Sequence, residues 1–271
     1  MTDKFLHRDD APFSDAVWAA IDATVTGAAK SQLSARRLLH TDGPYGLGLK
    51  AVPGGDEAAG KASTQDGVSV STGGGRPLAL IQMGFSLPAR DIATFEATGL
   101  PLPLGVAARA AIACAKQEDD LLFNGSRALG VDGLLTAKGA RTMELKPWDK
   151  VGAAADDLIA AATALDQAGC HGPYSLALAP ARYNLLLRRY QQGNTTEMQH
   201  AQQIATDGII KAPSIASGGV LIASGRQYAT IVIGQDLATG FVGPADGNYD
   251  LMVSESLALN LLQPQAVCIL K

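Results

Sequence analysis

Cysteine is scarce in this sequence and has no partner pattern. Cys114, Cys170 and Cys268 are three in number, unrelated in spacing and without a CxxC pair. That suits a reducing compartment better than a disulfide framework. Histidine is nearly as sparse. His7, His40, His171 and His200 form neither an HExxH motif nor any other close ligand spacing, so no metal site is expected. A GxSxG nucleophile elbow is also missing. No apolar run approaches the roughly 20 residues that cross a bilayer, and "MTDKFLHRDDAPF" has no apolar signal core. The expectation is a cytoplasmic protein without a membrane partner. Nor is there a basic excess: the net charge is −4, which argues against nucleic acid as a partner.

Aliphatic residues are what the chain has in quantity. Of 271 residues, 47% are hydrophobic but only 5% aromatic, so alanine, leucine, valine and isoleucine must fill the core. The length fits one large domain or two smaller ones. Thirty glycines imply many turns and extended loops.

Periodicity divides the chain into elements. Ser14 or Asp15 caps a helix on which Trp18, Ile21, Val25, Ala28 or Ala29 and Leu33 recur at helical spacing, reaching about Leu38. Residues 45–75 then turn glycine-rich and lose any helical stripe, the pattern of a functional arm or of a disordered insertion. Gly54-Gly55 and Gly73-Gly74-Gly75 flank the middle of this stretch. Strand character returns from Leu78 to Phe85. A long helix covers about 103–123 and ends at Asn124-Gly125. A helix over 153–168, a buried strand in "GPYSLALAP", and helices over 181–191 and 196–207 follow. Three strand segments close the chain, and the last, "LMVSESLALNLL", alternates at first like a half-buried strand.

Few of these residues suggest chemistry. The triple glycine could cradle a phosphate only if it led into a helix N-terminus. It leads instead into the proline-initiated apolar run Pro77–Met83, which reads as a strand, so the glycines read as a hinge. Glu118, Asp119 and Asp120 form the one dense acidic cluster. Paired carboxylates can do acid–base work, but a solvated or salt-bridged helix end is the expectation here. Cys114 falls on the apolar stripe of its helix and reads as a small core residue.

Several stretches together carry a resemblance. They are "APFSDAVWAAID", "ARRLLHTDGPYG" at 35–46, "EDDLLFNGSRALGVDGLL" at 118–135, "GPYSLAL" at 172–178, "IGQDLATGF" at 233–241 and the closing "SESLALNLLQPQAVCILK". In order and spacing the chain resembles the encapsulins of the linocin or bacteriocin-like group, shell proteins of bacterial nanocompartments. The resemblance implies an α+β fold of the tailed-phage major-capsid type. Its parts would be an N-terminal helix and the start of a peripheral domain (1–44), an extended arm (45–76), the peripheral domain with its spine helix (77–134), an axial domain (135–230) and a return to the peripheral domain (231–271). It also implies a non-enzymatic protein that assembles with copies of itself into an icosahedral compartment. The compartment would hold an enzyme cargo by its C-terminal targeting peptide. A dye-decolorising peroxidase or a ferritin-like protein would be the cargo, for oxidative-stress defence or iron storage. The alternatives are a prophage capsid protein packaging DNA and a soluble peptidase-like enzyme.

The same resemblance assigns surfaces. The cargo-peptide groove would use Leu33, Arg36, Arg37, Leu39 and His40 from the end of the first helix, and Ile233, Asp236 and Leu237 from "IGQDLATG". Leu33 and Ile233 also read as plain core residues. His40 stands where many relatives carry an acidic residue, which would alter the preference for a basic cargo residue. Gln192, Gly193 and Asn194 would form the five-fold pore loop, or a simple helix–helix turn. Gly73, Gly74 and Gly75 would be the root of the arm. Some relatives hold flavin against a tryptophan; Arg90 falls at or near that place, so no flavin and no other cofactor is expected.

Overall fold

The computed structural model of the chain describes residues 4–54, 63–65, 68–70, 74–191 and 194–271. Two 3-10 turns, Lys4–Leu6 and Arg8–Asp10, precede α1 (Asp15–Lys30) and the one-turn α2 (Ala35–Leu38). Strands β1 (His40–Asp42), β2 (Ala51–Pro53), β3 (Ser63–Gln65), β4 (Val68–Val70), β5 (Gly75–Pro77) and β6 (Ala79–Pro88) come next. They are followed by α3 (Ala89–Thr98), α4 (Gly105–Asn124), β7 (Arg141–Met143), α5 (Ala153–Gln167), β8 (Tyr174–Leu178), α6 (Pro180–Leu185) and α7 (Glu197–Ile204). The chain closes with β9 (Gly208–Lys211), β10 (Gly219–Ala223), β11 (Ala229–Ile233), β12 (Ala238–Ala245), β13 (Asn248–Leu261) and β14 (Val267–Leu270). These elements fall into two units. One comprises Met1–Leu33, Gly43–Glu118 and Ile233–Ala258, the other Ser34–Asp42, Asp119–Val232 and Leu259–Lys271.

The first unit is built on antiparallel pairing around β13. Strand β12 runs along it from Ala238↔Ser254 to Ala245↔Asn248, and β6 pairs with it from Asn248↔Pro88 to Leu257↔Ala79. Helix α1 lays Val17, Trp18, Ile21, Val25 and Ala29 inward, the i, i+3, i+4 stripe expected of an amphipathic helix. Phe13 fixes its entry, with ring centroids 5.3 Å from Trp18, 5.8 Å from Phe241 and 5.1 Å from Tyr249. Ser14 does occupy the N-cap position, but its side chain makes no cap bond; its N–H donates to Glu96 Oε1 at 3.0 Å. Two further antiparallel pairs, β2 with β5 and β3 with β4, form ribbons over the glycine-rich stretch. Gly54 N donates to Gly74 O at 2.7 Å, and Gly75 pairs with Pro53. Gly73 lies outside the described residues.

The half-buried alternation expected of the last long strand is not what the structure shows. Ser254, Glu255 and Ser256 on β13 are all buried. The hydroxyls tolerate burial because the "IGQD" segment supplies partners. Gln235 Nε2 donates to Ser254 Oγ at 2.8 Å, and Gln235 N donates to Ser256 Oγ at 2.9 Å.

The second unit holds a sheet in the order β7-β14-β10-β8-β9. Strand β10 pairs antiparallel with β14 and β8, while β14–β7 and β8–β9 are parallel. Every residue of β8 and β10 is buried, in keeping with their mostly apolar sequences. The core gathers Leu158, Leu165, Leu176, Leu178, Leu186 and Leu221 around Trp148. Trp148 Nε1 and Lys146 N each donate to Asp157 Oδ2 at 2.9 Å. Strand β1 pairs parallel with β11, His40 opposite Thr230. The closing strand β14 belongs to this unit.

Three helices are shorter than their periodicity suggests. The first ends at Lys30 rather than near Leu38, because the N–H groups that would continue it are taken by a buried carboxylate. Asp119 accepts from Ser34 N at 2.8 Å, from Ala35 N at 2.9 Å and from the Ser34 hydroxyl. The chain restarts there as α2. The helix expected over 181–191 ends at Leu185. Beyond it Glu197 N donates to Arg188 O and Tyr190 N to Thr195 O, so the backbone turns back on itself. Helix α7, expected over 196–207, covers only Glu197–Ile204, closed at its start by a capping box between Thr196 and Gln199.

The acidic cluster is a correction as well. Glu118 and Asp119 are 0% and 2% exposed, so this is no solvated helix end. Only Asp120 faces solvent, accepting from Asn124 Nδ2 at 2.7 Å. Burial pushes the Asp119 carboxyl above its ordinary range, against the pull of the bonds from Ser34 and Ala35. Helix α4 then stops at Gly125, whose φ of 69° is left-handed and whose Cα hydrogen points at backbone: a Cβ would stand 2.5 Å from Gly133 N.

Two predictions follow from this packing. Asp119→Ala leaves three donors facing apolar surroundings and should cost about 2–4 kcal/mol, read as a lower urea midpoint with the same slope. All three cysteines are buried. Burial, helped by the Glu255 charge, pushes the Cys114 thiol up to about 11; burial also raises Cys170 and Cys268. Iodoacetamide at neutral pH should therefore leave the folded protein unmodified and alkylate all three thiols after denaturation, counted by intact mass.

Candidate functional site

Two cavities take up most of the residues singled out for the groove. The larger, of about 1030 Å³, lies within the first unit. Its walls are the Lys4–Leu6 turn with Arg8, the Asp22 and Thr26 face of α1, the Pro44–Gly48 loop, and Gly234 to Ala238. The loop is pinned by Tyr45 N donating to Ile233 O at 3.0 Å and by a bond from Gly46 N to Gly234 O. Phe5 and Tyr45 stand 58% and 60% exposed on the walls. Asp236 and Leu237 are among the lining residues, while Ile233 is buried in the core at their N-terminal side. Leu33, in the same unit, is buried too. The cavity combines apolar and aromatic walls with a few charged groups, a composition that suits an extended apolar segment.

The smaller cavity, of about 220 Å³, lies within the second unit. Arg36, Arg37, Leu39 and His40 line it, with Asp207, Ser224 and Gly225. Ser175 Oγ donates to Asp207 Oδ2 at 2.8 Å and is 2.8 Å from Ser224 Oγ. Bonds from Ser224 and Ser175, with the nearby His40, hold the Asp207 carboxyl below its usual range against the cost of desolvation. Serine, histidine and aspartate thus share one cavity. The carboxylate takes the serine hydroxyls directly, whereas acyl-transfer chemistry needs an imidazole between nucleophile and carboxylate.

The predicted groove residues are therefore divided between two units: Leu33, Ile233, Asp236 and Leu237 in one, Arg36, Arg37, Leu39 and His40 in the other. Of the pore-loop residues, Gln192 and Gly193 lie outside the described residues. Asn194 lies between Arg188 and Glu197, which meet: Arg188 Nη2 is 3.3 Å from Glu197 Oε2, and Glu197 Oε1 accepts from Gly152 N and Ala154 N at 2.8 and 2.9 Å. Arg90 lies exposed in the first turn of α3. Sequence reasoning missed Phe5, Arg8, Asp22 and Tyr45. Arg8 and Asp22 are too far apart along the chain for any helical or strand period to link them.

The Asp207 carboxylate gives a pH prediction. Its folded value lies below its unfolded value, so its contribution to stability is complete above about pH 4, the ordinary aspartate range, and is lost as the pH falls through the folded value. Asp207→Asn should therefore flatten the acid side of a plot of Tm against pH, with the wild type losing Tm more steeply below pH 4.

Residues 2–258 match the protein family described as "Encapsulating protein for peroxidase". The chain is 31% identical to the type 1 encapsulin shell protein EncA of Myxococcus xanthus, over 98% of this chain and 96% of that protein. It is 28% identical to a diheme-cytochrome–encapsulin shell fusion protein of Kuenenia stuttgartiensis, over 94% of this chain and 72% of the fusion. Among solved structures, the virus-like particle of Pyrococcus furiosus superimposes with a TM-score of 0.74 at 21% identity, covering 94% of this chain and 99% of that one. The capsid of Myoviridae phage XM1 gives a TM-score of 0.58 at 15% identity, covering 87% and 90%. The fold is thus the α+β capsid fold shared by encapsulins and tailed phages, and the family match over nearly the whole length places this chain among the encapsulin shell proteins.

Proposed function

We propose that copies of this chain close into an icosahedral compartment and hold an enzyme cargo by its C-terminal tail, which enters the large cavity of the first unit. The cavity carries this reading. At about 1030 Å³ it sits at the upper end of ligand clefts, roughly 300–1,000 Å³, whereas the cavity lined by Arg36 to His40, at about 220 Å³, falls below that range. Leu237, Phe5 and Tyr45 offer apolar surface to a short extended peptide, and Asp236 offers a charge. The relatives agree in kind, since one is named as a shell fused to a diheme cytochrome and another as a shell fused to a ferritin-like protein. The chemistry then belongs to the cargo, a peroxidase or a ferritin-like protein, and the shell contributes enclosure in the cytoplasm.

The remaining surfaces fit the same reading. The glycine-rich stretch beyond Gly48, with its paired β2–β5 and β3–β4 ribbons, forms an arm that lies on a neighbouring copy, as heterologous contacts that close a shell require. Gln192, Gly193 and Asn194 border the five-fold pore. A capsid that packages DNA is a rival on the same fold, against which the net charge of −4 weighs.

Electron microscopy of untagged particles from the native cell, with mass spectrometry of what they contain, tests the proposal. The expected result is uniform spheres holding one companion protein, with Leu237→Asp giving equally uniform but empty spheres. Particles filled with DNA would support the capsid reading instead. A monomer or dimer without a companion would overturn both.

A further inference from the structure

We propose that Arg8 is the positioning residue of the large cavity: it pins the Lys4–Leu6 turn as a preformed wall against which a cargo tail packs. The proposal rests on the reading of that cavity as the tail site.

One side chain makes three different contacts. The guanidinium forms a fork to Asp22 on α1, Nη1 donating to Oδ2 at 2.9 Å and Nη2 to Oδ1. It also lies over the Trp18 ring, 4.3 Å from the centroid. Its Nε donates to the Thr239 carbonyl on β12 at 2.9 Å. A planar five-donor group can stack, fork and donate sideways at once, which an ammonium cannot. The segment it anchors has no fully buried residue in either of its 3-10 turns, so hydrophobic burial contributes little to its placement. A second observation locates the segment on the same strand. The Leu6 backbone approaches β12 so closely at Gly240 that a Cβ there would stand 3.0 Å from Leu6 O and 3.3 Å from Leu6 Cα.

The consequence is energetic. Lys4, Phe5 and Leu6 face the cavity, and Phe5 leaves most of its ring exposed on the wall. An apolar occupant gains by covering that ring. The gain reaches affinity only when the segment is already ordered; otherwise binding must also supply the entropy of ordering it. Arg8 removes that cost by fixing the segment beforehand.

The test co-expresses the shell with a probe, a green fluorescent protein carrying the C-terminal tail of the companion that co-purifies from the native cell, and reads the fluorescence retained per purified particle as binding. Arg8→Ala should weaken probe binding about tenfold, the loss of one charge-assisted anchor, with particle size unchanged. Backbone amides of residues 4–8 should exchange with deuterium faster. Arg8→Lys, which keeps the charge but not the fork, should fall between. Gly240→Val, which pushes Leu6 off β12 and leaves Arg8 in place, should weaken binding as well and keeps the proposal testable if Arg8→Ala does not fold. Leu237→Asp separates the two readings. If it abolishes binding while the Arg8 and Gly240 variants bind like the wild type, the cavity is the tail site and Arg8 does not position it. If Leu237→Asp also binds like the wild type, or wild-type particles carry no companion, the cavity reading fails and the role of Arg8 with it.

Discussion

The buried carboxylate of Asp119 decides how the N-terminal third of the chain is routed. A helix is free to continue while its N–H groups find carbonyls four residues back. At Ser34 and Ala35 a carboxylate competes and wins, with three bonds from two consecutive residues. The helix stops, Ser34–Asp42 passes into the second unit, and β1 takes its place beside β11. The chain then returns at Gly43 to the first unit. Arg36, Arg37 and His40 are delivered to one cavity, and Tyr45 to the other, by this single diversion.

Both units meet much of their polar burial in the same way: a buried polar group faces a short segment that satisfies it. Gln235 serves the two serines of β13, Asp157 serves Trp148 and Lys146, and Glu197 serves the first turn of α5. Buried polar groups are costly when unpaired and specific when paired. With so few aromatics, these networks supply much of the directional information that fixes one packing among many aliphatic ones. The cavity of the first unit has the opposite character. Its Phe5 and Tyr45 are left exposed, and apolar surface held open is a feature of surfaces that meet a partner.

Much of the fold was legible in advance. The α1 stripe of Trp18, Ile21, Val25 and Ala29 is inward because 3.6-residue periodicity survives any tertiary context that buries one face. The apolar run of β8 between its glycine and proline punctuators reads as a buried strand for the matching reason. Illegible were the ends of elements and the state of polar residues. Glu118, Asp119 and Asp120 look alike in sequence, yet two are buried and one is solvated. Ser254 and Ser256 suggest a wet face until Gln235 is placed beside them. A local pattern reports the period of an element but not the identity of its distant partners.

The site divides along the same line. Asp236 and Leu237 were reachable from "IGQDLATG" by resemblance, and they do line the large cavity. Phe5, Arg8, Asp22 and Tyr45 were not, because their meeting depends on a 3-10 segment, a helix and a loop folding together. The sequence by itself determined the periodic elements, the aliphatic core, the glycine-rich stretch and the family. Only the tertiary structure decided where helices stop, which carboxylates are buried and which side chains share a cavity. The physical reason is range: periodicity and turn chemistry act within a few residues, whereas hydrogen-bond competition and cavity walls join groups separated by tens to hundreds of residues.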